Sequence, residues 1–367
     1  MTKEEFIGEL DHAASTLTDL PVSSAMVLHL AGELKNGEPA WWKKVQKSWE
    51  SRQFVAWSEA WSLFLACVHF EALSDAENPL VAYFPSCGGT PEADPSGALA
   101  KFLQDPPASF FENLKVGQRR SYVAARAPIW IAPATVFFQG RGLPFYAVEI
   151  NAGAGLNLAA DLQSKALKGG YFPDFVAARI GLDPKPLLLE DIADRRWLTA
   201  GIFPENTASI IALDEAADAV LDARRGEPNF IQLAQCKADL APKFVAKNIP
   251  PEAEVGLLVL NMGTTVRMTD PEYERYSNDI AETMRPWGDR ALWVEIENVR
   301  GERFSTTYQV RLGRVFEGQL KRGLMASIEL NSRKVEFVKE GELLLLAGLP
   351  PIKKRSFLPW AKLFGGA

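Results

Sequence analysis

The stretch Glu149-Ile150-Asn151-Ala152-Gly153-Ala154-Gly155-Leu156-Asn157 decides how the rest of the chain is read. Before it, Leu143 to Ile150 is a short apolar run of the kind that forms a buried strand. After it, Leu156 to Leu167 has the spacing of a helix, with Gly169-Gly170 as its stop. Two glycines between a strand and a helix let the backbone turn sharply and approach a ligand closely. The first turn of the helix offers N–H groups that have no acceptor within the helix.

Downstream the same alternation continues. Phe175 to Leu182, Asn229 to Ala234, Val255 to Leu260 and Ala291 to Ile296 read as strands. Asp191 to Leu198, Glu205 to Arg224 and Asp270 to Met284 read as helices, the last with Asp270 as N-cap and Pro271 at its first position. Alternating strands and helices imply a parallel sheet covered on both faces. Thr306 to Leu312, Met325 to Leu330, Val335 to Val338 and Leu343 to Leu346 then read as antiparallel strands added at one edge. Upstream, residues 1 to 75 read as helices. The clearest runs from Ser51 to Leu73, where Phe54, Trp57, Trp61, Phe64, Leu65 and Val68 form one apolar stripe. Ser96 to Leu103 reads as a further helix beyond a Pro- and Gly-rich loop. A chain of 367 residues exceeds the ~250–300 that one core fills. The expected division is a helical N-terminal lobe over 1–115, an α/β domain over 116–350 and a basic amphipathic tail over 351–367.

Composition excludes several classes. Forty Lys and Arg against 46 Asp and Glu give a net charge of −6, which argues against a protein that coats nucleic acid. Cys67, Cys87 and Cys236 are too few and too widely spaced for a disulfide framework or a zinc site, and suggest a reducing, cytoplasmic compartment. His12, His29 and His69 are the only histidines and all lie near the N-terminus, so the α/β part has none for a metal site or a triad. The longest apolar run, Ala124 to Phe138, is interrupted by Arg126, Pro128 and Pro133, which argues against a transmembrane segment. The N-terminus lacks the pattern of a signal peptide.

Two cofactor types use a strand–glycine loop–helix arrangement. A dinucleotide site takes G-x-G-x-x-G; Gly153 and Gly155 fit, but Leu158 stands at the third glycine. An S-adenosylmethionine loop takes E/D-x-G-x-G-x-G; Glu149, Gly153 and Gly155 fit, and Asn151 replaces its first glycine. A nearby acid suits a ligand that carries a sulfonium and an ammonium group. The segment thus resembles motif I of class I methyltransferases. The chain more closely resembles an uncharacterised bacterial family, domain of unknown function twenty-three thirty-two. Four further stretches carry that likeness: Asn78 to Ser86, Gly181-Leu182-Asp183-Pro184, Asp194 to Leu198 with Phe203-Pro204-Glu205, and Trp293-Val294-Glu295-Ile296-Glu297. The resemblance implies a Rossmann-like sheet of the class I methyltransferase type, a helical N-terminal lobe and antiparallel C-terminal strands. It also implies S-adenosylmethionine as cofactor and an unassigned small-molecule or other acceptor. Glu149, Asn151, Gly153, Gly155, Asn157, Asp183 and Arg126 are then the cofactor-binding candidates, with Asp183 on the ribose. Asn261, after the most apolar strand, and Glu297, at the end of the next strand, are the catalytic candidates.

The chain departs from the family pattern at three places. Asn151 replaces a glycine, Asn261 stands where the family tends to carry His, and of a polar segment before motif I only Arg126 is kept. These departures motivate a second reading, a non-catalytic binding protein on the same fold; a nicotinamide-dependent oxidoreductase is a third, disfavoured by Leu158. Thr264 joins Asn261 as a candidate to face the transferred methyl group. Asp214 competes with Asp183 for the ribose, and Asp239 is a candidate for an adenine amino group. Tyr83 is a candidate lid residue. Cys87 has no basic partner close in sequence, and His69, on the Trp-rich helix, reads as a satisfied histidine. The tail from Lys353 to Phe364 reads first as a segment docked on its own domain, and second as a contact for an anionic membrane surface or a partner.

Overall fold

In the computed structural model the described residues are 1–54, 58–91, 94–120, 122–163, 175–265, 268–299, 307–329 and 334–339. The expected strand at Leu343 to Leu346, the helix stop at Gly169-Gly170 and the basic tail lie outside them. The chain divides into two compact units. One comprises Met1–Tyr122 and Leu189–Asp214; the other comprises the described residues of Val123–Leu188 and Glu215–Ala367. The first is therefore not the continuous segment that the sequence suggests, because Leu189–Asp214 joins it.

The first unit is helical. It contains α1 (Lys3–Thr16), α2 (Pro21–Asn36), α3 (Ala40–Trp49), α4 (Glu59–Ser74), α5 (Ser96–Gln104) and α6 (Ala108–Val116). Thr2 and Glu5 form a reciprocal capping box that starts α1. Trp41, Trp42, Trp49 and Trp61 are core: Phe6 stacks on Trp42 at 5.2 Å and meets Trp49 edge-on at 5.3 Å, and all of them are buried.

The second unit opens with a broken helical stretch: a 3-10 turn at Ala127–Trp130, α7 (Ile131–Ala134) and a wide turn at Thr135–Gln139. Pro133 lacks the N–H that a continuous helix needs, so the longest apolar run makes three short turns instead of one long helix. No helix among the described residues is long and apolar enough to cross a membrane. Then come β1 (Phe145–Ile150), α8 (Ala160–Gln163) and β2 (Val176–Asp183). In chain order α9 (Ile192–Ala200), in the first unit, and α10 (Thr207–Gly226) follow. Next are β3 (Gln232–Gln235), α11 (Ala241–Asn248), β4 (Gly256–Met262), α12 (Asp270–Met284), β5 (Ala291–Asn298), β6 (Thr307–Phe316), β7 (Gln319–Glu329) and β8 (Lys334–Phe337). The strands form one sheet in the order β3-β2-β1-β4-β5-β6-β7-β8. β1 to β5 are parallel, while β6, β7 and β8 are antiparallel additions. This is the expected mixed α/β architecture with a mostly parallel, Rossmann-like sheet. α12 begins one residue earlier than expected: Thr269 is its N-cap, in a capping box with Glu272, so Asp270 is its first residue and Pro271 its second.

Strand order fixes where a ligand fits. From β1 the chain steps outward through β2 to β3, then returns to lay β4 on the other side of β1. At such a reversal the connections leave in opposite directions and open a crevice beyond the carboxyl ends of the two strands. Ile150 pairs with Asn261 across that boundary, so the glycine loop after Ile150 and the turn after Met262 border the same crevice.

Candidate functional site

The floor of the crevice is the Asn151–Gly155 loop. Asn151, Gly153 and Gly155 all have left-handed backbone, with φ of 69°, 61° and 79°. The N–H groups of Asn151 and Ala152 donate to the Leu182 carbonyl at 2.7 and 3.1 Å, which ties the loop to β2. Gly153 N–H donates to Asp183 Oδ2 at 2.8 Å, and Asp183 Oδ1 accepts from Lys185 N–H at 2.8 Å. Asp183 is fully buried by these contacts. In these contacts Asp183 acts as a bracket that sets the loop. Glu149 is also fully buried, and its Oε1 accepts from Asn157 Nδ2 at 2.6 Å. Trp130 Nε1 donates to the Asn157 carbonyl at 2.8 Å and anchors the chain after the loop. The two glycines differ in surroundings. A Cβ on Gly155 would meet Ile231 Cγ2 at 2.9 Å, whereas a Cβ on Gly153 would meet nothing within 4 Å among the described residues.

The opposite lip is the turn after β4. Thr264 Oγ1 donates to the Ile150 carbonyl at 2.8 Å, and the Thr264 and Thr265 N–H groups both donate to Glu297 Oε1, at 2.8 and 3.0 Å. Glu297 thus holds the turn. Asn261 is fully buried, with Nδ2 donating to the Tyr276 hydroxyl at 2.8 Å and Oδ1 accepting from Trp293 Nε1 at 2.7 Å. Both ends of its amide are engaged in the core. Thr264 remains at the crevice, beside the end of β1.

Arg126 reaches this lip from the residue before the 3-10 turn. Its guanidinium lies over the Tyr308 ring at 5.3 Å, and its Nη1 is 3.6 Å from the position of a Cβ on Gly263. Its Nε is buried without a hydrogen-bond partner among the described residues.

With that geometry in hand, the family described as "Uncharacterized protein conserved in bacteria (DUF2332)" matches residues 20–172 and 162–336. The chain belongs to this family. No curated protein matches it. Among solved structures, the sugar N-methyltransferase KedS8 from Streptoalloteichus sp ATCC 53650 is similar at 16% identity and a TM-score of 0.25, over 61% of this chain and 77% of that one. Those values are too low for a residue-by-residue correspondence.

The departures of this DUF2332 chain now have physical readings. Asn151 occupies a left-handed position, which Asn tolerates better than other side-chain-bearing residues, so it keeps the conformation that a glycine would supply. Leu158, at the third glycine of a dinucleotide motif, is fully buried. The close approach falls to Gly181 on β2 instead, where a Cβ would meet Leu233 Cδ2 at 2.6 Å and Ala152 Cβ at 3.0 Å. Asp239 is exposed in the turn before α11.

In the helical unit, Asp214 is exposed on α10 and pairs with Arg195 at 3.3 Å. Tyr83 ends a 3-10 turn and is half-buried. His69 is buried: its Nδ1 lies 3.0 Å from the Ile202 carbonyl, and its Nε2 lies 2.7 Å from Ser86 Oγ. A carbonyl only accepts, so Nδ1 carries the proton and Nε2 accepts from Ser86. A basic partner near Cys87 thus exists, but it serves Ser86. The N–H groups of Cys87, Gly88 and Gly89 all donate to carbonyls within the turn, which leaves them unable to stabilise an oxyanion.

Sequence reasoning missed a second polar group, on the face that carries α12. Glu295 accepts from Arg322 Nη2 at 2.5 Å and from the Tyr273 hydroxyl at 3.1 Å, while Arg322 lies over Trp293 at 4.6 Å. Burial pushes the Glu295 carboxyl up, against the pull of Arg322. The W-V-E-I-E stretch held the signal, since alternate residues of a strand share a face and put Trp293, Glu295 and Glu297 together.

Proposed function

We propose that this chain binds S-adenosylmethionine in the β1/β4 crevice and transfers its methyl group to an acceptor. One observation carries the reading: the loop at the carboxyl end of β1 is held left-handed at three positions, with clear space above Gly153. Bound there, S-adenosylmethionine supplies an electrophilic methyl carbon on a sulfonium. The chain's own contribution is positional. Asp183 and the Leu182 carbonyl hold the loop, Gly153 and Gly155 keep its backbone free of side chains, and Glu149 with Asn157 supports it from below. The buried acid adds negative potential under a cationic ligand. In-line methyl transfer needs alignment more than acid–base groups, and orientation supplies up to ~7–11 kcal/mol of a barrier. The lack of histidine in this unit is compatible with that chemistry.

Calorimetry with S-adenosylmethionine and S-adenosylhomocysteine, with NADH as control, tests the reading. Ligand at 100 times its Kd adds about 2.7 kcal/mol, a shift of several degrees in Tm. Both adenosyl ligands are expected to bind and NADH to fail; binding of NADH alone would overturn the assignment. A non-catalytic binding role is the second reading. It is favoured by the engagement of Asn261 and Glu297 in structural contacts, and is distinguished by cofactor binding with no S-adenosylhomocysteine formed across an acceptor panel.

A further inference from the structure

We infer that Arg126 is the anchor for a carboxylate on the ligand of the β1/β4 crevice; the inference rests on the reading above and extends it to the ligand's anionic end. Unlike Arg179, Arg322 and Arg52, Arg126 has neither an acid nor a carbonyl as a partner among the described residues. Arg179 holds Asp161 at 2.6 Å, Arg322 holds Glu295 at 2.5 Å, and Arg52 donates to the carbonyls of Leu114, Lys115 and Gly117. Arg126 has the face of Tyr308 and a buried Nε with no acceptor. A sheltered guanidinium without a counter-charge is unfavourable, and its planar fork of donors matches a carboxylate in two-point fashion.

The local acids are not available to it. Glu297 is turned to Thr264 and Thr265 N–H, Glu149 to Asn157, and Asp183 to Gly153 and Lys185. Gly263 in this turn has a left-handed backbone, with φ of 74°, and Arg126 Nη1 lies 3.6 Å from the position of a Cβ there, which places the guanidinium beside the turn. Thr264 ties this turn to the Ile150 carbonyl, so Arg126 and the glycine loop flank neighbouring strand ends. Adjacent strands are ~4.8 Å apart. That spacing matches the few bonds between the sulfonium and the carboxylate of a methionine-type ligand.

The test compares S-adenosylmethionine with its decarboxylated analogue by calorimetry on the full chain. Wild type is expected to bind the carboxylate form about tenfold more tightly or better, the range of a charge-assisted hydrogen bond. Arg126→Gln is expected to bind both ligands alike, at the affinity of wild type for the decarboxylated one. Arg126→Lys keeps the charge but not the fork, and should recover part of the preference. Equal binding of both ligands by wild type overturns the inference and leaves the cofactor reading standing; so does a preference that survives in a folded Arg126→Gln protein. Failure of both ligands to bind wild type overturns the cofactor reading and the inference with it. The wild-type comparison decides even if the variants do not fold.

Discussion

Gly153 and Gly155 sit two residues apart with the same backbone hand, yet they should respond differently to the same substitution. At either position an alanine enters the left-handed region, at a cost of ~1–2 kcal/mol. At Gly155 the added Cβ also presses on Ile231 and Leu233, at 2.9 and 3.4 Å, so Gly155→Ala should lose on the order of 2–3 kcal/mol in urea unfolding. Gly153→Ala adds its Cβ to open space and should lose only ~1–2 kcal/mol. Its larger effect should fall on S-adenosylmethionine, because that space is where the ligand is proposed to lie. A Gly153→Val protein that melts cooperatively and still binds with wild-type affinity would remove the loop from the site. Asn151→Gly should be close to neutral in stability, and Asn151→Val should lose more than Gly153→Ala, because a β-branched residue is the poorest fit to that backbone.

At the scale of elements, the sequence was most legible where a local pattern answers to one force. Apolar runs located the strands, and their alternation with helices predicted the parallel sheet. The glycine loop marked the crevice because a sharp strand-to-helix turn needs those residues. Polar residues at strand ends were less legible. Asn261 and Glu297 have the position and type of site residues, but their partners decide their role, and Trp293, Tyr276 and the Thr264 turn come from other elements. The same holds for Asp161 on α8 and Arg179 on β2. Their side chains are only 2% and 7% exposed, Arg179 Nε also donates to the Leu158 carbonyl, and its guanidinium lies over Phe230 at 4.3 Å. Burial raises the Asp161 carboxyl while Arg179 pulls it back down. Removing one partner leaves a buried charge, so Asp161→Ala should cost about 3–5 kcal/mol, whereas the apolar pair Asp161→Leu with Arg179→Met should be much milder. A double-mutant cycle in urea measures the difference, and additive single costs would show that the pair is not coupled.

At the scale of the whole molecule, the helical unit is discontinuous in sequence, and His69 is one of the ties that make it so. It joins α4 to a carbonyl 133 residues away, a contact that no local pattern announces. Burial lowers its pKa from 6.5 to about 4, so folding holds the imidazole neutral. Below 6.5 the unfolded chain takes up a proton that the folded chain refuses, and unfolding is favoured by protonation. The stability that depends on neutral His69 is therefore present above about pH 6.5 and is lost as the pH falls toward 4. A displacement of that size corresponds to roughly 3 kcal/mol. Glu71, in the same unit, opposes this: burial raises its carboxyl, so the folded state binds its proton at the higher pH. The net slope alone is consequently a poor test, and the difference between wild type and His69→Gln is the better one. The variant should lose stability at pH 7, where the bonds to Ile202 and Ser86 are disturbed, yet lose less on going from pH 7 to pH 4.5. Parallel Tm-against-pH curves for the two proteins would mean that His69 takes up its proton in the folded state at an ordinary pH, and that the helical unit is not closed around it.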